Sequence, residues 1–96
     1  MKDKDKQELI KTSWELHGLV ETSYLHHRAK QGDEDWLEKQ RFLLADMALH
    51  LLQTTMEPGE IKSERLRDNL HAILTISDQF LPEAGLKKET EKLYYE

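Results

Sequence analysis

The sequence predicts an all-α protein, an antiparallel three-helix bundle with a short fourth helix on its C-terminal side. Three observations lead there. Apolar residues recur at separations of three and four through most of the 96 residues, and no stretch alternates as a strand does. Breakers at Gly32, Pro58-Gly59 and Pro82 to Gly85 divide the chain into three long segments and a tail. In the run Phe42 to Leu52 only Asp46 and His50 are polar, so apolar side chains lie on almost every azimuth. A helix of that kind needs neighbours on at least two sides, as a central bundle helix or a dimer helix has.

The first helix is expected from about Asp5 to Gln31, with Leu9, Ile10, Trp14, Leu16, Leu19, Val20, Tyr24 and Leu25 at helical spacing. Gly18 lies inside this pattern, as a close helix approach or as a tolerated exposed glycine. Gly32 follows as a left-handed cap. Asp33 then reads as the N-cap of the second helix, with Glu34 and Asp35 favouring its dipole in the first turn. So tight a connection makes the first two helices antiparallel neighbours and brings Trp36 near Tyr24 and Leu25.

The second helix should run from Glu34 to about Met56. Trp36, Gln40, Leu43, Met47 and Leu51 share one edge; Leu37, Leu44, Ala48 and Leu52 share the next, widened by Phe42, Ala45 and Leu49. Pro58 lacks a helical donor and Gly59 permits a turn, so this helix ends there. The third starts at Pro58 or at a Ser63 cap and reaches Phe80 or Leu81, with a stripe of Leu66, Leu70, Ile73, Leu74, Ile76, Phe80 and Leu81. The tail helix, Leu86 to Tyr95, is shorter than the ~12 residues an unsupported helix needs. Residues 82–96 therefore read as a detachable tail and residues 1–6 as disordered, within a single domain spanning 1–96.

Composition narrows the function. A domain of this size buries only about 60 to 65% of its unfolded surface, so a homodimer or a hetero-complex is expected to stabilise it. Lys+Arg 14 against Asp+Glu 19 gives a net charge of -5, which opposes nucleic-acid binding. The chain has no cysteine, hence no disulfide or thiolate chemistry, which suits the cytoplasm. No apolar run has the length of a signal peptide or a membrane span.

Five histidines invite a metal reading. Asp46 with His50 and Asp68 with His71 have helical spacing, but no Glu-x-x-His of a dimetal bundle occurs. No metal and no cofactor is assigned. Arg65 and His71 match the loose spacing of one class of small helical ribonucleases, but five intervening residues do not put them on a shared helix face. His27 stands near Lys30 and Gly32 as in helical phosphotransfer domains, but with the wrong Lys-to-Gly spacing. The serines have no glycine elbow, so no catalytic residue is named and the protein reads as non-enzymatic. What is left is binding through apolar surface. The face bearing Leu44, Met47, Ala48 and Leu51, with Leu70, Ile73 and Leu74 on the third helix, is the expected seat of a second subunit or a partner helix. The rival reading is an acidic inhibitor that masks a basic surface on its target.

Several residues add a resemblance. The first helix ends in Lys30-Gln31-Gly32, Asp35-Trp36 and Leu37-Glu38-Lys39-Gln40 open the second, and Pro58-Gly59-Glu60-Ile61 leads to a third carrying Ile73-Leu74-Thr75-Ile76-Ser77-Asp78. In this layout, over roughly residues 10–96, the chain resembles the FliT family of flagellar type III export chaperones. The resemblance implies a cytoplasmic chaperone for the helical end of a flagellar cap or hook-associated protein. It also implies contacts with an export ATPase or a transcriptional regulator, and a last helix acting as an autoinhibitory lid. It puts the partner surface on the second and third helices, at Leu44, Met47, Leu51, Leu70, Ile73 and Leu74. The chain departs from the family's pattern at Pro82 and Gly85, which interrupt its usual longer helices.

Overall fold

A computed structural model describes residues 2–94, and the regular elements among them are all helical. Helix α1 spans Asp3–His26, α2 Trp36–Met56, α3 Ser63–Ser77 and α4 Leu86–Thr90, followed by a 3-10 turn over Glu91–Tyr94. The expected end of the last helix at Tyr95 lies outside the described residues, as does residue 1.

Helix α1 begins at Asp3, so it takes in most of the stretch 1–6 expected to be disordered. Asp3 and Asp5 in its first turn favour the positive end of the helix dipole. At its other end the helix is shorter than the sequence predicts. It stops at His26, and His27 is extended. The reason is local competition for backbone donors: the Ala29 N–H finds the His27 Nδ1 at 3.2 Å and the Lys30 N–H finds the Asp33 carboxylate at 2.7 Å. Gly32, at φ +99, therefore sits inside a loop of residues 27–35 and does not cap α1. Asp33 serves that loop as a turn residue, and Asp35 stands at the N-cap position of α2. The loop is pinned: Ala29 is buried, and its carbonyl accepts a bond from Lys39 Nζ, which lies 4.8 Å from the Tyr24 ring centre.

Helix α2 ends at Met56, before Pro58-Gly59 as expected. Helix α3 starts at Ser63 and not at Pro58, but Lys62 stands at the N-cap position and Ser63 is the first helical residue, so Ser63 is not the cap. It closes at Ser77, and the chain continues in tight turns in which Phe80 and Leu81 bond back to the Ser77 carbonyl. At Gly18 an added Cβ would meet open space, so this glycine marks no close helix approach.

Helix α1 packs on α2, and α2 on α3, but among the described residues α1 and α3 do not pack on each other; α4 and the 3-10 turn lie on α3 alone. The predicted helix count and neighbour order are met, and the closed three-helix core is not formed. The dimensions agree. A 96-residue domain has a radius of gyration of about 12.5 Å; this chain has 15.1 Å and extents of 44 × 35 × 16 Å. It exposes 7302 Å², about 1,500 Å² more than a compact protein of its mass.

Candidate functional site

The fully buried positions in the seams between helices are mostly polar, which is unusual for a small domain, and several large apolar side chains stay exposed. Between α1 and α2, Gln53 Nε2 donates to Ser13 Oγ at 3.1 Å, and Ser13, only 2% exposed, donates to the Ile10 carbonyl at 2.6 Å. Between α2 and α3, Asn69 donates to Thr54 Oγ1. Where α3 runs out, the Trp36 indole donates to Gln79 Oε1 at 2.8 Å and Gln79 Nε2 donates to Gln40 Oε1 at 3.0 Å. Ser13, Gln40, Asp46, Gln53 and Thr54 are buried, whereas Ala29 and Ile76 are the only buried apolar residues among those described. Each buried side-chain nitrogen or oxygen there has a partner. Several large apolar side chains are turned out, with Leu19 69% exposed, Leu25 66% and Trp14 54%, and most of the others are half-buried.

Helix geometry shows which side of α2 stays open. At 100° per residue, the positions that touch neighbours (Phe42, Gln53, Asp46, His50, Thr54 and Gln40) fall within an arc of about 160°. The other 200° or so carries Leu37, Leu44, Ala45, Ala48 and Leu52. On that side Arg41, Leu44, Ala45 and Ala48 join Phe80 in lining an apolar groove of about 500 Å³. Here Ala45 and Ala48 are exposed and Leu44 is half-buried. At the rim, Arg41 pairs with Glu38 at 3.1 Å.

The structure divides the partner face proposed from sequence. Leu44 and Ala48 line the groove. Met47 falls at the azimuth between Thr54 and Gln40, toward α3, and Leu51 lies at the edge of that arc. Met47, Leu51, Leu70, Ile73 and Leu74 are all half-buried. Sequence reasoning did not name Arg41 or Phe80 as groove residues; Phe80 reaches the site only because the chain turns after Ser77.

Between α1 and α3, above α2, lies a second cavity of about 330 Å³, lined by residues that include Trp14, His50, Glu57, Arg65 and Asn69. On its flank the polar seam gathers His17 from α1 with Asp46 and His50 from α2. His17 Nδ1 bonds Asp46 Oδ1, its Nε2 meets Glu21 at 2.9 Å, and His50 Nε2 lies 3.3 Å from Asp46 Oδ2. The Trp14 ring stands edge-on to both imidazoles, at 5.4 Å from His17 and 6.5 Å from His50. Spacing alone paired Asp46 with His50; His17 joins them from 29 residues away.

The remaining candidates are apart. Arg65 pairs with Glu57 and lines the cavity beside α1, whereas His71 lines another, with Thr90, Glu91 and Tyr94. His27 serves the loop backbone and meets the Phe42 ring at 6.4 Å. The tail is held to α3 where the Tyr94 hydroxyl donates to Asp68 at 2.8 Å, which raises the phenol above its ordinary 10.0. Among the described residues, α4 and the 3-10 turn pack on α3 and not on α2, and neither lines the groove.

No protein-family model matches this chain, nor does any curated protein or solved structure. Among the described residues no helix is long and apolar enough to cross a membrane.

Proposed function

We propose that this chain is a non-enzymatic protein-binding module whose bundle is completed by a helix of another protein laid in the groove of Arg41, Leu44, Ala45, Ala48 and Phe80. One observation carries the reading: the chain exposes about 1,500 Å² beyond what its mass requires, more than the roughly 800 Å² that one partner buries in a standard stable complex. Small residues at Ala45 and Ala48 leave room for close approach, with Leu44 and Phe80 as walls. A helix offering apolar anchors at i, i+3 and i+7 suits such a surface. The closed bundle predicted from sequence would then belong to the complex. Its resemblance to the FliT-type export chaperones makes the helical end of an exported client the first occupant to test. The same reading has the protein work in the cytoplasm, in keeping with its lack of cysteine.

The test compares the wild type with Ala48→Asp in capture of proteins from the native host. The substitution puts a charge on an exposed helix position, so folding by circular dichroism should be unchanged and capture of the specific partner lost. Equal capture by both forms would refute the groove. A second arm raises the salt: a groove binder keeps most of its affinity, whereas an acidic mask of a basic target loses it steeply. Light scattering on the isolated chain decides whether the occupant is a second copy.

A further inference from the structure

Two carboxylates face one imidazole. His17 presents Nδ1 to Asp46 and Nε2 to Glu21, the latter at 2.9 Å. A neutral imidazole has one N–H, so one of the two contacts needs either a second proton or a cation in its place. His50 is drawn to the same spot, with Nε2 at 3.3 Å from Asp46 Oδ2 and its ring centre 5.1 Å from that of His17. Two imidazole nitrogens and a carboxylate thus converge, with their ligand atoms all within 4.8 Å of one another.

We propose that His17, Asp46 and His50 form a binding site for a divalent transition-metal ion of the zinc type. The donor set selects the metal class, because two imidazoles and one carboxylate suit zinc, cobalt, nickel or copper and do not suit magnesium or calcium. Bonds of about 2.0 to 2.1 Å at tetrahedral angles set ligand atoms about 3.3 to 3.4 Å apart. The Asp46–His50 separation of 3.3 Å already has that value; no gap among the ligand atoms exceeds 4.8 Å, so closure takes at most about 1.5 Å, while the direct His17–Asp46 hydrogen bond opens to admit the ion, both by side-chain adjustment. Behind the site, His17 Nε2–H donating to Glu21 is the arrangement that fixes the tautomer and orientation of a metal-bound histidine. Trp14 limits the swing of both rings from the side. Three protein donors leave a fourth position, and His50 lies on the wall of the cavity shared with Arg65 and Asn69, through which water or an anion reaches it. A metal here clips α1 to the middle of α2, so it stabilises the hairpin, separately from the groove on the far side of α2.

Zinc chloride is titrated into the folded full-length chain against a chromophoric chelator, and the zinc-to-protein ratio is measured after dialysis. One zinc per chain is expected, together with a rise in melting temperature. His50→Gln should weaken binding at least about 100-fold. Glu21→Gln, an exposed change that spares the fold, should weaken it about 10- to 100-fold, as the loss of an outer partner does. A His27→Gln/His71→Gln control should bind as the wild type does. Cobalt substituted for zinc should show the visible bands of a low-coordinate N/O site, absent in Asp46→Asn. The proposal is overturned if no zinc is retained, if the control loses as much affinity as His50→Gln, or if Glu21→Gln binds as tightly as the wild type.

Discussion

Removing the Ser13 hydroxyl tests whether the polar seam is dry. Ser13 is 2% exposed and receives the Gln53 amide at 3.1 Å, while Gln53 itself is 7% exposed. Ser13→Ala removes the acceptor and strands a buried N–H donor, so the cost is that of desolvation without a partner, about 1 to 3 kcal/mol. For a domain of this size each kcal/mol lowers the melting temperature by roughly 4 to 8 °C. Gln53→Leu in the same background removes the donor too, and the double variant should recover most of the loss, because two matched apolar groups leave nothing unpaired. Urea unfolding of the four proteins, followed by circular dichroism and by Trp14 and Trp36 fluorescence, closes the cycle. A Ser13→Ala loss under about 0.5 kcal/mol would refute the reasoning, since it would mean that water reaches the seam.

Gln79→Ala should unpair the Trp36 indole and the Gln40 amide together, lowering stability by about 1 to 3 kcal/mol and changing Trp36 emission; an unchanged spectrum would separate Trp36 from this network. For Tyr94 the folded phenol is raised above 10.0 by its bond to Asp68, so the tail's contribution is full below pH 10 and is lost as the pH rises through the folded value. Tyrosinate absorbance should show one phenol ionising late in the wild type and earlier in Asp68→Asn; coincident titrations would exclude the bond. Gly32→Ala forces a side chain into φ +99 and should cost about 1 to 2 kcal/mol despite the open space around it, read as a lower urea midpoint. A midpoint equal to the wild type's would show that the loop shifts its backbone freely.

The helices were legible because their signals are local. Apolar spacing located α1, α2 and α3, and Pro58-Gly59 located the end of α2. The misreading at Gly32 was local as well. A glycine after Lys30-Gln31 matches a cap, but His27 and Asp33 offer the nearby amides side-chain acceptors that end the helix earlier. The groove was legible in part: the apolar arc of α2 implied more neighbours than two flanking helices provide, and Leu44 and Ala48 were among its candidates.

By itself, then, the sequence determined a helical chain with an over-apolar second helix and no membrane-length segment, since period, breakers and composition act over a few residues. Only the tertiary structure decided which side of that helix stays open and which polar groups meet. Ser13 with Gln53, Trp36 with Gln79, and His17 with Asp46 are pairs 40, 43 and 29 residues apart. Their meeting depends on how α1 and α3 lie against α2, and no spacing along one helix encodes it. The physical reason is that an apolar side chain is satisfied by any apolar neighbour, whereas a buried amide, indole or imidazole is satisfied only by a matching group at hydrogen-bond distance.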